Sequence, residues 1–98
     1  MKKIFGTDYS KINEFKRIGY TYTKIAENEN YLVWEMFKDG ITYKNYEVWK
    51  KVWKKQPDDT LYLKCPGDEE FGRTAWYFCG TKQRCAEQIL ERYKISIL

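Results

Sequence analysis

Ninety-eight residues make one domain, residues 1–98, with room for a thin two-layer core rather than a deep lidded cleft. The chain carries 18 Lys and Arg against 14 Asp and Glu, a formal charge of +4 that favours solubility more than it argues for a polyanionic partner. His is absent, which removes the commonest general acid–base and the usual partner of a Ser or Cys nucleophile.

Along the chain, Tyr9, Ile12, Phe15 and Ile18 recur every third residue, which is compatible with a short N-terminal helix over residues 8–18 stopped by Gly19. Residues 20–26 are β-branched and aromatic, the composition of a strand, and 27–30 read as a turn. Residues 31–37 form the clearest strand. Lys38-Asp39-Gly40 closes a hairpin, with Gly40 suited to a left-handed position. The return strand runs from Ile41 through Trp49. Residues 48–55 fit either a strand or a helix. The strand is favoured by the hairpin before it and the Gln56-Pro57-Asp58-Asp59 turn after it.

Residues 60–65 form a further short strand, ended by Pro66-Gly67, and 74–79 a fifth strand or an extended leg. Thr81 then caps a C-terminal helix whose apolar stripe is Cys85, Ala86, Ile89, Leu90 and Tyr93. Ile95, Ile97 and Leu98 are apolar enough to dock on the sheet. The expected fold is α+β: an antiparallel meander of four to five strands with the C-terminal helix packed on one face.

Catalytic signals are sparse. No G-x-x-x-x-G-K-[ST] and no G-x-G-x-x-G occurs, so no phosphate-cradling loop is indicated. Cys65, Cys79 and Cys85 are odd in number and show no C-x-x-C spacing. They read as reduced, half-buried thiols of an intracellular protein rather than a zinc site, and no cofactor or metal is expected. The start, Met1-Lys2-Lys3-Ile4-Phe5, has a basic beginning but no apolar core region, so a secretory signal is not expected. No apolar run reaches the length of a membrane span.

Asp68-Glu69-Glu70 is the one run of three carboxylates. Adjacent loop acids rarely acquire the different environments that acid–base work demands, so they read as the start of a turn, with Phe71 as anchor and Gly72 letting the chain reverse. Lys50, Lys51, Lys54 and Lys55 around Trp49 and Trp53 are the best nucleic-acid signal, since aromatics stack on bases while lysines hold phosphates. The same residues also describe a strand guarded by lysines against edge-to-edge aggregation, the reading favoured by the modest net charge and the lack of a known nucleic-acid motif.

The stretch from Pro66 to Phe78 resembles small phage-encoded accessory proteins, mostly of unknown role, whose C-terminal half carries Pro-x-Asp-Glu-x-Phe-Gly-x-x-Ala-Trp followed by a short helix. The matching residues are Pro66, Asp68, Glu69, Phe71, Gly72, Ala75 and Trp76. Cys65 and Gly67 depart from the Tyr and Ser usual there. The resemblance covers about the last third of the chain and implies a mobile-element protein acting in the cytoplasm of a bacterial host. It further implies binding and disabling of a host factor such as a CRISPR nuclease, in the manner of an anti-CRISPR protein.

The resulting expectation is a non-enzymatic protein that binds a bacterial host protein. Its candidate contacts are Trp49, Trp53 and Trp76, with Asp68, Glu69, Glu70 and Arg73 as polar contacts, since surface aromatics dominate interface energy. The alternative is a nucleic-acid-binding protein using Lys50, Lys51, Lys54 and Lys55.

Overall fold

The aromatic-rich middle of the chain pairs with itself into an antiparallel sheet. The computed structural model describes residues 8–17, 19–40, 44–63 and 75–98, position 44 by its backbone alone. Strands β1 (Glu14–Arg17), β2 (Tyr20–Glu27), β3 (Tyr31–Phe37), β4 (Lys44–Lys50) and β7 (Ala75–Gly80) lie side by side in that order. Between β4 and β7 the chain forms a separate two-stranded hairpin of β5 (Trp53–Lys55) and β6 (Leu61–Leu63). Helix α1 (Lys82–Tyr93) follows β7. The α+β fold with its C-terminal helix is the one expected from the sequence.

Local chemistry sets the joints. The Asn28 side-chain oxygen accepts hydrogen bonds from the backbone N–H groups of Asn30 and Tyr31, closing the β2–β3 turn. Gly40 has φ +85°, the left-handed conformation expected of it after β3. Thr81 caps α1 by accepting from the Arg84 N–H, and Lys94 ends the helix in a left-handed conformation.

The N-terminal helix is not formed. A single 3-10 turn at Tyr9–Lys11 leads into β1. A three-residue repeat drifts around a 3.6-residue turn, so it never secures one face. Phe15 instead stacks on Tyr22 across the β1–β2 pair, ring centroids 4.6 Å apart. Gly19 does adopt the left-handed conformation, but in the β1–β2 turn rather than at a helix end. Within 48–55 the chain is extended, but it leaves the main sheet after Lys50 and re-forms as β5.

The sheet is buried on both faces, which a simple two-layer expectation omits. Strand partners directly opposite share a face. Val33, Val48 and Trp76 align across three strands, as do Glu35, Tyr46 and Phe78. On them α1 lays Cys85, Ala86, Ile89 and Tyr93, and Ile95 of the C-terminal segment docks beside them. The opposite face carries Tyr22, Leu32, Trp34, Met36 and Trp49, covered by Tyr9, Phe15 and Leu63. Trp34 and Trp49 lie 5.1 Å apart, and Phe15 meets Trp34 edge-on at 4.9 Å.

One irregularity redistributes side chains between the faces. Lys24 pairs with Trp34, but Ala26 pairs with Val33, so Ile25 is the extra residue of a bulge. The bulge turns Ile25 and Ala26 toward the helix-side cluster while Tyr22 stays in the other one.

Candidate functional site

The β5–β6 hairpin is anchored at one end and open at the other. Its register pairs Trp53 with Leu63 and Lys55 with Leu61, which places all four on one face. Leu63 is fully buried against the Trp34–Trp49 cluster. Its backbone N–H donates to the Asp8 carboxylate at 3.0 Å, and that same oxygen accepts from the Ser10 N–H and hydroxyl. Two strands that bury only their last residue leave the remainder of that face uncovered. Trp53 is 45% exposed and Leu61 57% exposed.

The turn that closes the hairpin is tight. The Gln56 N–H donates to the Thr60 carbonyl at 2.8 Å, and Asp59 takes φ +69°. The Asp58 carboxylate accepts from the Thr60 N–H and hydroxyl. The reversal expected at residues 56–59 is therefore present, with an Asp rather than a Gly in the left-handed position.

Charge is distributed unevenly over this hairpin. Lys50, Lys54 and Lys55 lie along its first strand and the residues before it, while Asp58 and Asp59 sit in the turn. Lys51 is committed elsewhere: its ammonium meets the Glu27 carboxylate at 2.8 Å and its backbone N–H donates to the Asn30 carbonyl. Hydrogen bonding to Lys51 holds the Glu27 carboxyl below its ordinary range, against the opposing effect of partial burial. Lys55 faces Asp59 at 3.2 Å, an exposed pair of small energetic weight.

The candidate contact residues therefore separate. Trp53 is at the surface. Trp49, 1% exposed, is a core residue whose ring N–H donates to Glu47, so it presents no surface to a partner. This corrects its placement among surface aromatics: the strand alternation that exposes Trp53 in β5 does not continue from β4, because two residues intervene between the strands. Trp76 is half-buried in a ring cluster with Tyr93 at 5.6 Å and Tyr31 at 6.1 Å. Asp68, Glu69, Glu70 and Arg73 lie outside the described residues, as does Cys65. Leu61 is the contact candidate that sequence reading missed. Only the Trp53–Leu63 register shows that Leu61 and Trp53 share a face.

A second group of polar atoms lies within the aromatic face. Glu47 accepts from the Trp49 ring N–H and, at 3.4 Å, from the Tyr22 hydroxyl. On the helix side the Tyr46 hydroxyl donates to Glu35 at 3.2 Å. Burial first, and the Glu35 charge second, push the Tyr46 hydroxyl far above its ordinary range. Burial likewise raises the Cys85 thiol, while Cys79 is exposed. These groups tie strands together. Among the described residues, no cluster of three or more His, Cys, Asp or Glu could hold a metal ion, and no helix is long and apolar enough to cross a membrane.

Comparison of the chain with protein-family models, with curated proteins and with solved structures gave no match.

Proposed function

We propose that this protein works by binding, not by catalysis: it docks on a bacterial host protein and inhibits or redirects it. The resemblance around Pro66 to Trp76 points to a mobile-element origin and to a defence component, such as a CRISPR nuclease, as the target. The observation that supports a binding role most directly is the uncovered face of the β5–β6 hairpin. An exposed Trp diagonal to an exposed Leu on an anchored hairpin is the kind of group that carries interface energy.

The test is affinity capture from nuclease-treated bacterial lysate, comparing the natural chain with a Trp53→Ala, Leu61→Ser variant. Trp53 and Leu61 are exposed, so the variant keeps the fold, which far-UV circular dichroism verifies. A discrete host protein retained by the natural chain and lost by the variant supports the reading. Equal retention by both chains removes the hairpin from it.

The second reading, nucleic-acid binding, is favoured by Lys50, Lys54 and Lys55 flanking Trp53. It is weakened by Lys51 being engaged with Glu27, by Asp59 facing Lys55, and by two carboxylates in the hairpin turn. Its signature is affinity for oligonucleotides that falls steeply with salt.

A further inference from the structure

The sheet has one end at which cations gather without partners. Strands β1, β3 and β7 finish there, and β2, β4 and α1 begin there. This topology brings together Lys16 and Arg17 of β1, Lys38 just after β3, and Lys82 and Arg84 in the first turn of α1. Among the described residues none of these five side chains makes an ion pair, and Asp39 is the one carboxylate at this end. The opposite end is different: Glu27 and Glu29 flank the β2–β3 turn there, and Lys51 is held by Glu27. We propose that the basic end is a second interaction surface, separate from the hairpin, that takes the phosphates of a single nucleic-acid strand.

The register builds the centre of this surface. Lys16, Thr21 and Phe37 stand directly opposite one another on β1, β2 and β3, so they share the helix-side face. Helix α1 rests on β4 and β7 and leaves this row open, with Phe37 50% exposed. Lys38 reaches back across the end of the sheet, its ammonium 5.5 Å from the centroid of the Tyr20 ring. With Gly19 and Asp39 these side chains line a cup of about 160 Å³. Lysine ammonium groups only donate, and the Thr21 hydroxyl can donate, so the cup suits an oxyanion. The Phe37 ring at its rim offers a face on which a base can stack.

The spread of charge favours a strand over a lone anion or an acidic peptide. From β1 to β7 the sheet spans about 19 Å at its ordinary strand spacing. Successive phosphates of one strand can therefore meet Lys16 and Lys38 on one side and Lys82 and Arg84 on the other. A polypeptide would need an unbroken acidic run to do the same, whereas a phosphodiester carries a charge at every step. Unpaired, exposed cations also need break no existing contact before they meet a phosphate. Asp39 opposes the anion in the cup, so it tunes affinity downward.

The experiment measures fluorescence anisotropy of a labelled single-stranded oligothymidine on the whole chain at about 0.1 M salt, where charges more than roughly 10 Å apart are screened. Lys16→Glu, Lys38→Glu is expected to weaken binding by about tenfold or more and to flatten the slope of log affinity against log salt by about one or more. Lys50→Glu, Lys55→Glu makes the same change in net charge away from this end and leaves affinity within about threefold. Asp39→Asn strengthens binding a few-fold, a gain that a damaged fold would not produce. Circular dichroism verifies the fold of each variant. No binding of oligothymidine, equal losses in the two charge-reversal variants, no gain from Asp39→Asn, or tighter binding of polyglutamate than of oligothymidine would each overturn the proposal. A host protein retained through Trp53 after nuclease treatment leaves the hairpin reading standing whichever of these results is found.

Discussion

Asp8 concentrates several contacts in one side chain. Its carboxylate caps the 3-10 turn through Ser10 and also holds the Leu63 N–H, so it ties the N-terminal segment to the hairpin. Burial alone would raise its pKa, but the hydrogen bonds from Ser10 and Leu63 outweigh that and lower it from the ordinary 3.8. A carboxyl whose folded pKa is depressed adds stability above its unfolded pKa and loses it as pH falls through the folded value. Asp8→Ala is therefore expected to cost about 1–2 kcal/mol at neutral pH. The cost shrinks toward zero as pH drops below the ordinary carboxylate range. Urea unfolding of the natural and variant chains across pH 2–7 checks this: the gap between their midpoints closes on the acid side. A gap that stays constant with pH would assign the effect to packing rather than to the charged carboxylate.

At the scale of elements, Leu63 decides whether the hairpin belongs to the body. Its side chain enters the Trp34–Trp49 cluster, and the hairpin buries no other residue completely. Leu63→Ala is expected to cost about 2–4 kcal/mol. Thermal unfolding measures that loss, and limited proteolysis should show earlier cleavage between Lys50 and Leu61 than in the natural chain. Much at this scale was legible in the sequence. β3 was plain from a run of aromatic and β-branched residues, Gly40 from its turn position, and α1 from its apolar stripe and its Thr81 cap. The N-terminal segment is the harder case: an i, i+3 repeat of apolar residues imitates one side of a helix without holding it, and Phe15 stacking on Tyr22 favours the extended strand instead. The separation of β5 from β4 was not legible either. Nothing in Lys51-Val52 is a conventional chain break, and the chain leaves the sheet just beyond Lys51, the last residue held to Asn30 and Glu27. The exposure of Trp53 beside the burial of Trp49 follows from that break, so it too lay beyond the sequence.

For the whole molecule, the decisive feature is one sheet serving two cores. Helix α1 rests on one face and the hairpin on the other, yet both depend on the same β3 and β4 side-chain alternation. Loss of either layer exposes the sheet between them. Unfolding is therefore expected as a single cooperative step. With Trp53 and Trp76 replaced by Phe, Trp34 and Trp49 report on one face by fluorescence, and α1 reports on the other by circular dichroism at 222 nm. Their denaturation curves should coincide. A fluorescence transition that precedes the helical one would show that the hairpin layer opens separately from the helix layer.

The bulge at Ile25 reaches further than its own strand. By reversing the alternation of β2, it sends Glu27 to the same face as Leu32 and Trp49, where it meets Lys51 at the exit of β4. Lys51 is the residue from which the hairpin departs. A single inserted residue in one strand thus fixes the hinge of an element two strands away. Insertions and deletions in β2 become a route by which evolution could re-aim the hairpin without altering any residue on its exposed face.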